Sequence, residues 1–243
     1  MKAVILAAGK GKRMKDLTKD CPKPMLEAHG SPILEYIILS LKNMGIKEFL
    51  IITGYRAEVI EGYFKNGAAF GVDIAYKHQL VQDGTGKAPE LARDFLGKSP
   101  FLLSYGDVLT AHENYPMILD YFYKTGCSAL LSLKKVKDVS KGGAVTLDPN
   151  GRVTGLVEKP QPGTAVSNLE NAGIYIFRPE IFDYTSGLQK SPRGEYELTD
   201  ALIMMINDGL DVRGYELQGY WGDIGVPEAL QELRKILEKK GEI

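Results

Sequence analysis

Strand-length apolar runs alternate with helix-spaced apolar residues through the first hundred positions, and this restricts the fold more than any other feature. Residues 2–8 (KAVILAA) form an apolar run of strand length that ends in Gly9-Lys10-Gly11. Behind Ser31-Pro32, the residues Ile33, Tyr36, Ile37, Leu41 and Met44 recur at helical spacing. This predicts Ser31 as N-cap, Pro32 as the first helical residue and Gly45 as the stop. Residues 49–53 read as a second buried strand, 57–65 as a helix, 72–76 as a short strand and 87–96 as a helix. Residues 101–105 read as a further strand running into Gly106-Asp107. A β-α-β-α order predicts a mostly parallel sheet covered by helices on both faces.

The remainder is richer in strands. Residues 128–133, 143–147, 153–157 and 173–177 read as strands, with Asp148-Pro149-Asn150-Gly151 as a turn between two of them. Residues 196–207 and 228–239 read as helices, the second charged and amphipathic. No internal repeat, low-complexity segment or clear linker stands out, and no hexapeptide repeats follow the last helix. The architecture expected is one α/β domain over residues 1–243 with an antiparallel subregion inserted late.

Composition excludes several classes of function. With 44% hydrophobic and 25% charged residues among 243, the chain is neither disordered, collagenous nor a coiled coil. Lys+Arg at 30 against Asp+Glu at 31 argues against a dedicated nucleic-acid binder. The cysteines, Cys21 and Cys127, and the histidines, His29, His78 and His112, show no zinc spacing. The thiols are expected to be reduced, in a cytoplasmic protein. The apolar run at 3–8 is too short for a secretory signal, and no stretch is long enough to span a bilayer.

Five short motifs bear on chemistry. Leu6-Ala7-Ala8-Gly9-Lys10-Gly11-Lys12-Arg13-Met14 ends a strand in small residues and cations, which lets backbone N–H groups approach an anion. A tight βα turn with solvated basic residues fits the same spacing. A dinucleotide fingerprint would need glycine where Met14 stands. The nearest approach to a Walker A loop, Gly97-Lys98-Ser99, has Ala92 in place of the first glycine. Cys21-Pro22-Lys23-Pro24-Met25 stiffens the backbone on both sides of a lysine. Ser104-Tyr105-Gly106-Asp107 puts a carboxylate beyond the carboxyl end of an apolar strand, where α/β folds bind ligands and where Mg²⁺ suits an aspartate. A cap or turn aspartate is the plainer alternative there. Glu158-Lys159-Pro160 and Tyr220-Trp221-Gly222-Asp223-Ile224-Gly225 complete the set, with Asp223 as a candidate second metal ligand.

These pieces, together with Gly84-Thr85-Gly86-Lys87-Ala88, Asn171-Ala172-Gly173 and Gly194-Glu195-Tyr196-Glu197-Leu198-Thr199-Asp200, resemble the sugar-1-phosphate nucleotidylyltransferases from Lys2 to about Glu228. The resemblance implies a single Rossmann-like three-layer α/β domain with a mixed, mostly parallel central sheet and a small antiparallel sugar-binding subregion. A nucleotide-binding half would cover about 1–110, a sugar-binding half about 111–227, and a C-terminal helix 228–243. The implied activity is transfer of a nucleotidyl group from UTP or dTTP, or from CTP, to a sugar 1-phosphate, with Mg²⁺ as cofactor. Leu6, Ala8, Gly9 and Gly11, with Arg13, would hold the triphosphate, and Lys23 would meet phosphates at the reacting centre. Gln79, Gly84 and Thr85 would read the base. Gly143, Glu158 and Asn171 would bind sugar hydroxyls, and Lys159 the sugar phosphate. Asp107 and Asp223 would share Mg²⁺. The partners expected are these two substrates, with no nucleic acid and no membrane; a homo-oligomer is left open, since the residues do not fix the oligomeric state. Lys12 and Asp83 depart from the family's usual pattern. Alternatives are a cytidylyltransferase for a non-sugar phosphate such as phosphocholine, and a non-catalytic nucleotide-sugar sensor.

Overall fold

A computed structural model describes residues 1–240. In chain order the elements are β1 (Lys2–Ala7), β2 (Glu27–Ala28), β3 (Ser31–Pro32), α1 (Ile33–Asn43), β4 (Glu48–Thr53), α2 (Ala57–Phe64), β5 (Asp73–His78), α3 (Arg93–Leu96), β6 (Phe101–Tyr105) and β7 (Val108–Thr110). There follow α4 (Asn114–Thr125), β8 (Ala129–Lys135), β9 (Gly143–Leu147), β10 (Val153–Glu158), β11 (Leu169–Phe177), α5 (Ile181–Ser186), α6 (Leu198–Asn207), β12 (Val212–Glu216), β13 (Trp221–Asp223) and α7 (Pro227–Lys240). This is a mixed α/β fold. Among the described residues no helix is long and apolar enough to cross a membrane.

The described residues divide into two compact units: Met1–Gln82 with Leu103–Tyr115 and the segment from Gln218 onward, and Asp83–Leu102 with Pro116–Leu217; residues 241–243 of the expected C-terminal helix lie outside the described residues. In the first, β4 lies between β1 and β5 and pairs in parallel with both. Parallel neighbours need crossover connections, supplied here by α1 and α2. Ala3, Val4, Ile5, Phe49, Ile51 and Ile52 are wholly buried, the near-continuous apolar character expected of parallel strands. Helix α1 ends as its glycine predicts. Gly45 takes φ 95°, Gly45 N donates to Lys42 O (2.8 Å), and Ile46 N donates to Leu41 O (3.1 Å), a Schellman closure. Its start differs from expectation. Ser31-Pro32 pairs with Glu27-Ala28 as an antiparallel ribbon, and the helix begins at Ile33. Ser31 Oγ bonds Glu35 Oε1 (3.0 Å) instead of a backbone N–H, so Ser31 is no cap. Proline holds the residue before it extended, which suits a strand.

In the second unit β8 pairs antiparallel with β11 and parallel with β12, and β9 joins β11 to β10. The 148–151 turn closes as expected. Asp148 Oδ1 accepts the N–H groups of Asn150 (2.8 Å) and Arg152 (2.9 Å), and Gly151 takes φ 81°. Strand β11 is longer than its sequence suggests, with its register broken between Asn171 and Tyr175, where Gly173 takes φ 78°. The helix expected at 87–96 is a 3-10 segment, Ala88–Ala92, followed by one α-helical turn. Pro89 stands near its start, and Gly97 ends it after Leu96. The pattern did not announce α4, whose Pro116 sits in the first turn where its missing N–H costs nothing. Nor did it announce α5 or β12.

Phe101 is wholly buried in this unit, stacked on Phe182 (centroids 5.6 Å, 10° between planes) and tilted against Phe177 (5.8 Å). Phe101→Ala should destabilise the protein by about 3–5 kcal/mol, read as a fall in the denaturant midpoint. An unchanged midpoint would remove Phe101 from the core.

Candidate functional site

The first unit gathers several of the candidate residues at the end of β1. Gly106 N donates to Leu6 O (2.9 Å), which lays the segment after β6 against that strand. A Cβ at Gly106 would stand 3.0 Å from Leu6 O and 3.2 Å from Pro24 Cγ, so this glycine lets both approach. The loop after β1 turns on Gly11 (φ 61°), whose carbonyl accepts Met14 N (2.8 Å) and Thr18 Oγ1 (3.1 Å). Met14 is buried and anchors it. A Cβ at Gly11 would lie 3.1 Å from Lys23 Cβ, placing the lysine's stem on the loop. Ala8 O accepts Tyr55 N (3.1 Å), whereas a Cβ at Gly9 would meet nothing within 4 Å.

Asp107 and Asp223 are brought together by backbone pairing. Strand β13 pairs antiparallel with β7, Asp223 opposite Val108, and Ile224 N donates to Asp107 O (2.9 Å). Lys23 Nζ pairs with Asp107 Oδ2 and lies 3.8 Å from Asp223 Oδ1. Arg13 reaches the same place. A Cβ at Gly225 would be 3.2 Å from Arg13 Nη2 and 3.3 Å from both Asp223 oxygens. Burial pulls the Lys23 pKa below its ordinary value; Asp223 opposes that shift and Arg13 adds to it. Gln79, in the same unit, follows β5 and donates its N–H to Thr53 O (2.8 Å).

The pair of aspartates fits Mg²⁺. They offer hard carboxylate oxygens side by side through the β7–β13 pairing, and among the described residues no third His, Cys, Asp or Glu joins them as a ligand. Water and phosphate oxygens would fill the remaining positions, which is how Mg²⁺ is ordinarily held.

The second unit gathers the other candidates. Gly84 (φ 118°) bridges to Tyr196, and a Cβ there would collide with Tyr196 O. Tyr196 N donates to Asp83 O (2.7 Å), and Gly86 N to Tyr196 O (2.8 Å). Leu198 N donates to Thr85 Oγ1 (3.4 Å), so the 83–86 loop is stitched to the start of α6. Glu158 lies opposite Gly143 in the β9–β10 register. A Cβ at Gly143 would stand 3.3 Å from Glu158 Oε2 and 3.4 Å from Asn171 Cβ, so these three expected sugar ligands do meet. Asn171 Nδ2 donates to the Tyr175 hydroxyl (2.7 Å). Lys159 has a left-handed backbone (φ 45°), its N–H on Gly142 O (2.8 Å) and its Nζ 3.8 Å from Glu158 Oε1.

One cation here was not singled out from the sequence. Arg193 Nη1 lies 3.8 Å from Glu158 Oε1, while its Nη2 pairs with Glu197 Oε1 (2.5 Å) and Glu195 Oε2 (3.2 Å). The available signal was an arginine directly before Gly194, with glutamates two and four residues on. Burial raises the Glu158 pKa; Lys159 lowers it, Glu197 raises it further and Arg193 lowers it.

A family model described as nucleotidyl transferase matches residues 2–240. The chain belongs to this family. The UTP–glucose-1-phosphate uridylyltransferase AglF of Haloferax volcanii is 32% identical over 242 residues, covering 99% of this chain and 98% of that one. Bifunctional protein GlmU of Methanococcus maripaludis is 40% identical over 227 residues, 93% of this chain and 52% of the relative, so the chain spans about half that protein's length. Among solved structures, a UDP-glucose pyrophosphorylase complexed with UDP-glucose superposes with a TM-score of 0.89 at 27% identity, covering 98% of each chain.

A carboxyl group whose pKa is raised by folding favours the folded state below its unfolded pKa, and that contribution is lost as pH rises through the folded value. Arg193→Ala removes a cation that holds Glu158 down. The Glu158 carboxyl should then titrate at higher pH by carbon-13 NMR, and its contribution should persist to higher pH in stability–pH curves. A titration that stays put or falls would show that Arg193 does not act on Glu158.

Proposed function

We propose that this chain transfers a nucleotidyl group from a nucleoside triphosphate, UTP or dTTP in first place, to a sugar 1-phosphate, releasing pyrophosphate and a nucleoside-diphosphate sugar. The observation that carries this reading is the convergence of Lys23, Asp107, Asp223 and Arg13 beside a glycine loop. Family membership and a full-length relative that bears a uridylyltransferase name support it.

The nucleophile is a phosphate oxygen of the sugar 1-phosphate, already anionic near neutral pH because its second pKa is about 6. No general base is needed. Two polyanions must be brought together, so catalysis rests on positioning and on neutralising charge. The 9–11 backbone cradles the triphosphate, Lys23 meets the α-phosphate, and Arg13 stabilises charge on the departing pyrophosphate. Lys159, with Arg193, holds the sugar phosphate, and Glu158 and Asn171 accept and donate to sugar hydroxyls. Gln79, Gly84 and Thr85 read the base. Asp107 and Asp223 would hold Mg²⁺, which withdraws charge from phosphate oxygens when bound.

The test is pyrophosphate release with Mg²⁺ across nucleoside triphosphates and hexose 1-phosphates, glucose 1-phosphate first, with phosphocholine as the non-sugar acceptor. Release that requires one triphosphate and one sugar phosphate is expected. Release with phosphocholine alone would reassign the acceptor, and silence from folded protein would favour a sensor. Asp107→Asn and Lys23→Ala should each lower turnover ~10²–10³-fold with the circular dichroism spectrum intact. Near-normal turnover in either would remove that residue from the chemistry.

A further inference from the structure

Lys23 touches the same two carboxylates that the proposed function assigns to a divalent cation. Its Nζ pairs with Asp107 Oδ2 and lies 3.8 Å from Asp223 Oδ1, and only 12% of the side chain is exposed. The stem has little freedom. Pro22 and Pro24 restrict the backbone on both sides, and a Cβ at Gly11 would stand 3.1 Å from Lys23 Cβ and 3.6 Å from Cδ. The methylenes therefore lie along the phosphate loop, and the mobile part is the ammonium tip. Within reach of that tip are the two carboxylates and whatever anion sits on residues 9–11.

Resting on the proposed role of these aspartates, we infer that Lys23 and the divalent cation compete for Asp107 and Asp223, and that an anion on the glycine loop resolves the competition by drawing the ammonium away. A singly and a doubly charged cation repel strongly at contact range in a half-buried site. Two carboxylates whose joint charge is half cancelled by one ammonium, with the Arg13 guanidinium beside Asp223 as a further cation, therefore bind a metal ion more weakly than the bare pair would. Once Lys23 turns to a phosphate, the same carboxylates recover their charge for the cation. By linkage, each ligand then tightens the other. Triphosphate and metal enter together, and the resting site resists being loaded by a metal ion alone.

The test is Mn²⁺ binding to the nucleotide-free full chain, followed by electron paramagnetic resonance. Lys23→Met keeps the stem's length and removes the charge; Lys23→Gln replaces it if Met does not fold. Lys23→Arg keeps the charge. The neutral variants should bind Mn²⁺ roughly tenfold or more tightly than wild type, although their turnover falls, while Lys23→Arg stays weak. Equal or weaker Mn²⁺ binding in the neutral variants would overturn the competition and leave the metal assignment standing. Adding Asp107→Asn to the neutral variant should abolish the gain. A gain that survives it, or no Mn²⁺ binding by any variant, would overturn both the competition and the placement of the metal on these aspartates.

Discussion

The first unit depends on a close approach of main chains at the end of β1. The bond from Gly106 N to Leu6 O fixes the segment carrying Asp107, and the space left by the missing Gly106 side chain admits Pro24. From Pro24 the position of Lys23 follows, and from Asp107 O the bond to Ile224 N sets Asp223. Charged side chains separated by up to 200 residues are thus located by backbone hydrogen bonds and one absent Cβ. Such positions are stiff, because neither a strand end nor a proline-flanked lysine has much conformational freedom to lose.

The electrostatics follow from that stiffness. Burial pulls the Lys23 pKa down, and the carboxylate of Asp223 opposes that shift. The second unit uses a different arrangement, in which the half-buried Glu158 resists ionisation while Lys159 and Arg193 favour it. One set is organised around a cation and the other around a carboxylate. That division matches the chemistry proposed for each: phosphates at the first, and hydroxyls together with a phosphate at the second.

Much of this was legible in the sequence, for local reasons. The strands β1, β4 and β6 are apolar runs bounded by glycine or polar residues, and Gly45 and the 148–151 turn carry their own conformational signals. What was not legible depended on partners distant in sequence. Ser31-Pro32 looks like a helix start, and only the pairing with Glu27-Ala28 makes it a strand. Strand β13 is three residues long and exists because β7 lies beside it. The candidate ligands came from ordered motifs, which is why Lys23, Asp107 and Asp223 could be named in advance. Arg193 escaped because its significance lies in Glu158, thirty-five residues away in sequence and 3.8 Å away in space.

The glycines around the first site differ in what requires them. Gly11, Gly54 and Gly106 are hemmed in by the protein itself, so a side chain at any of them must displace a neighbour or strain the backbone. Gly9 has no such neighbour and no unusual φ. Among the described residues nothing crowds a side chain there, so its effect would fall on the ligand proposed for the loop. If the loop holds a triphosphate as proposed, position 9 is where folding and recognition would separate, because a side chain there meets none of the described residues that hold the loop in shape.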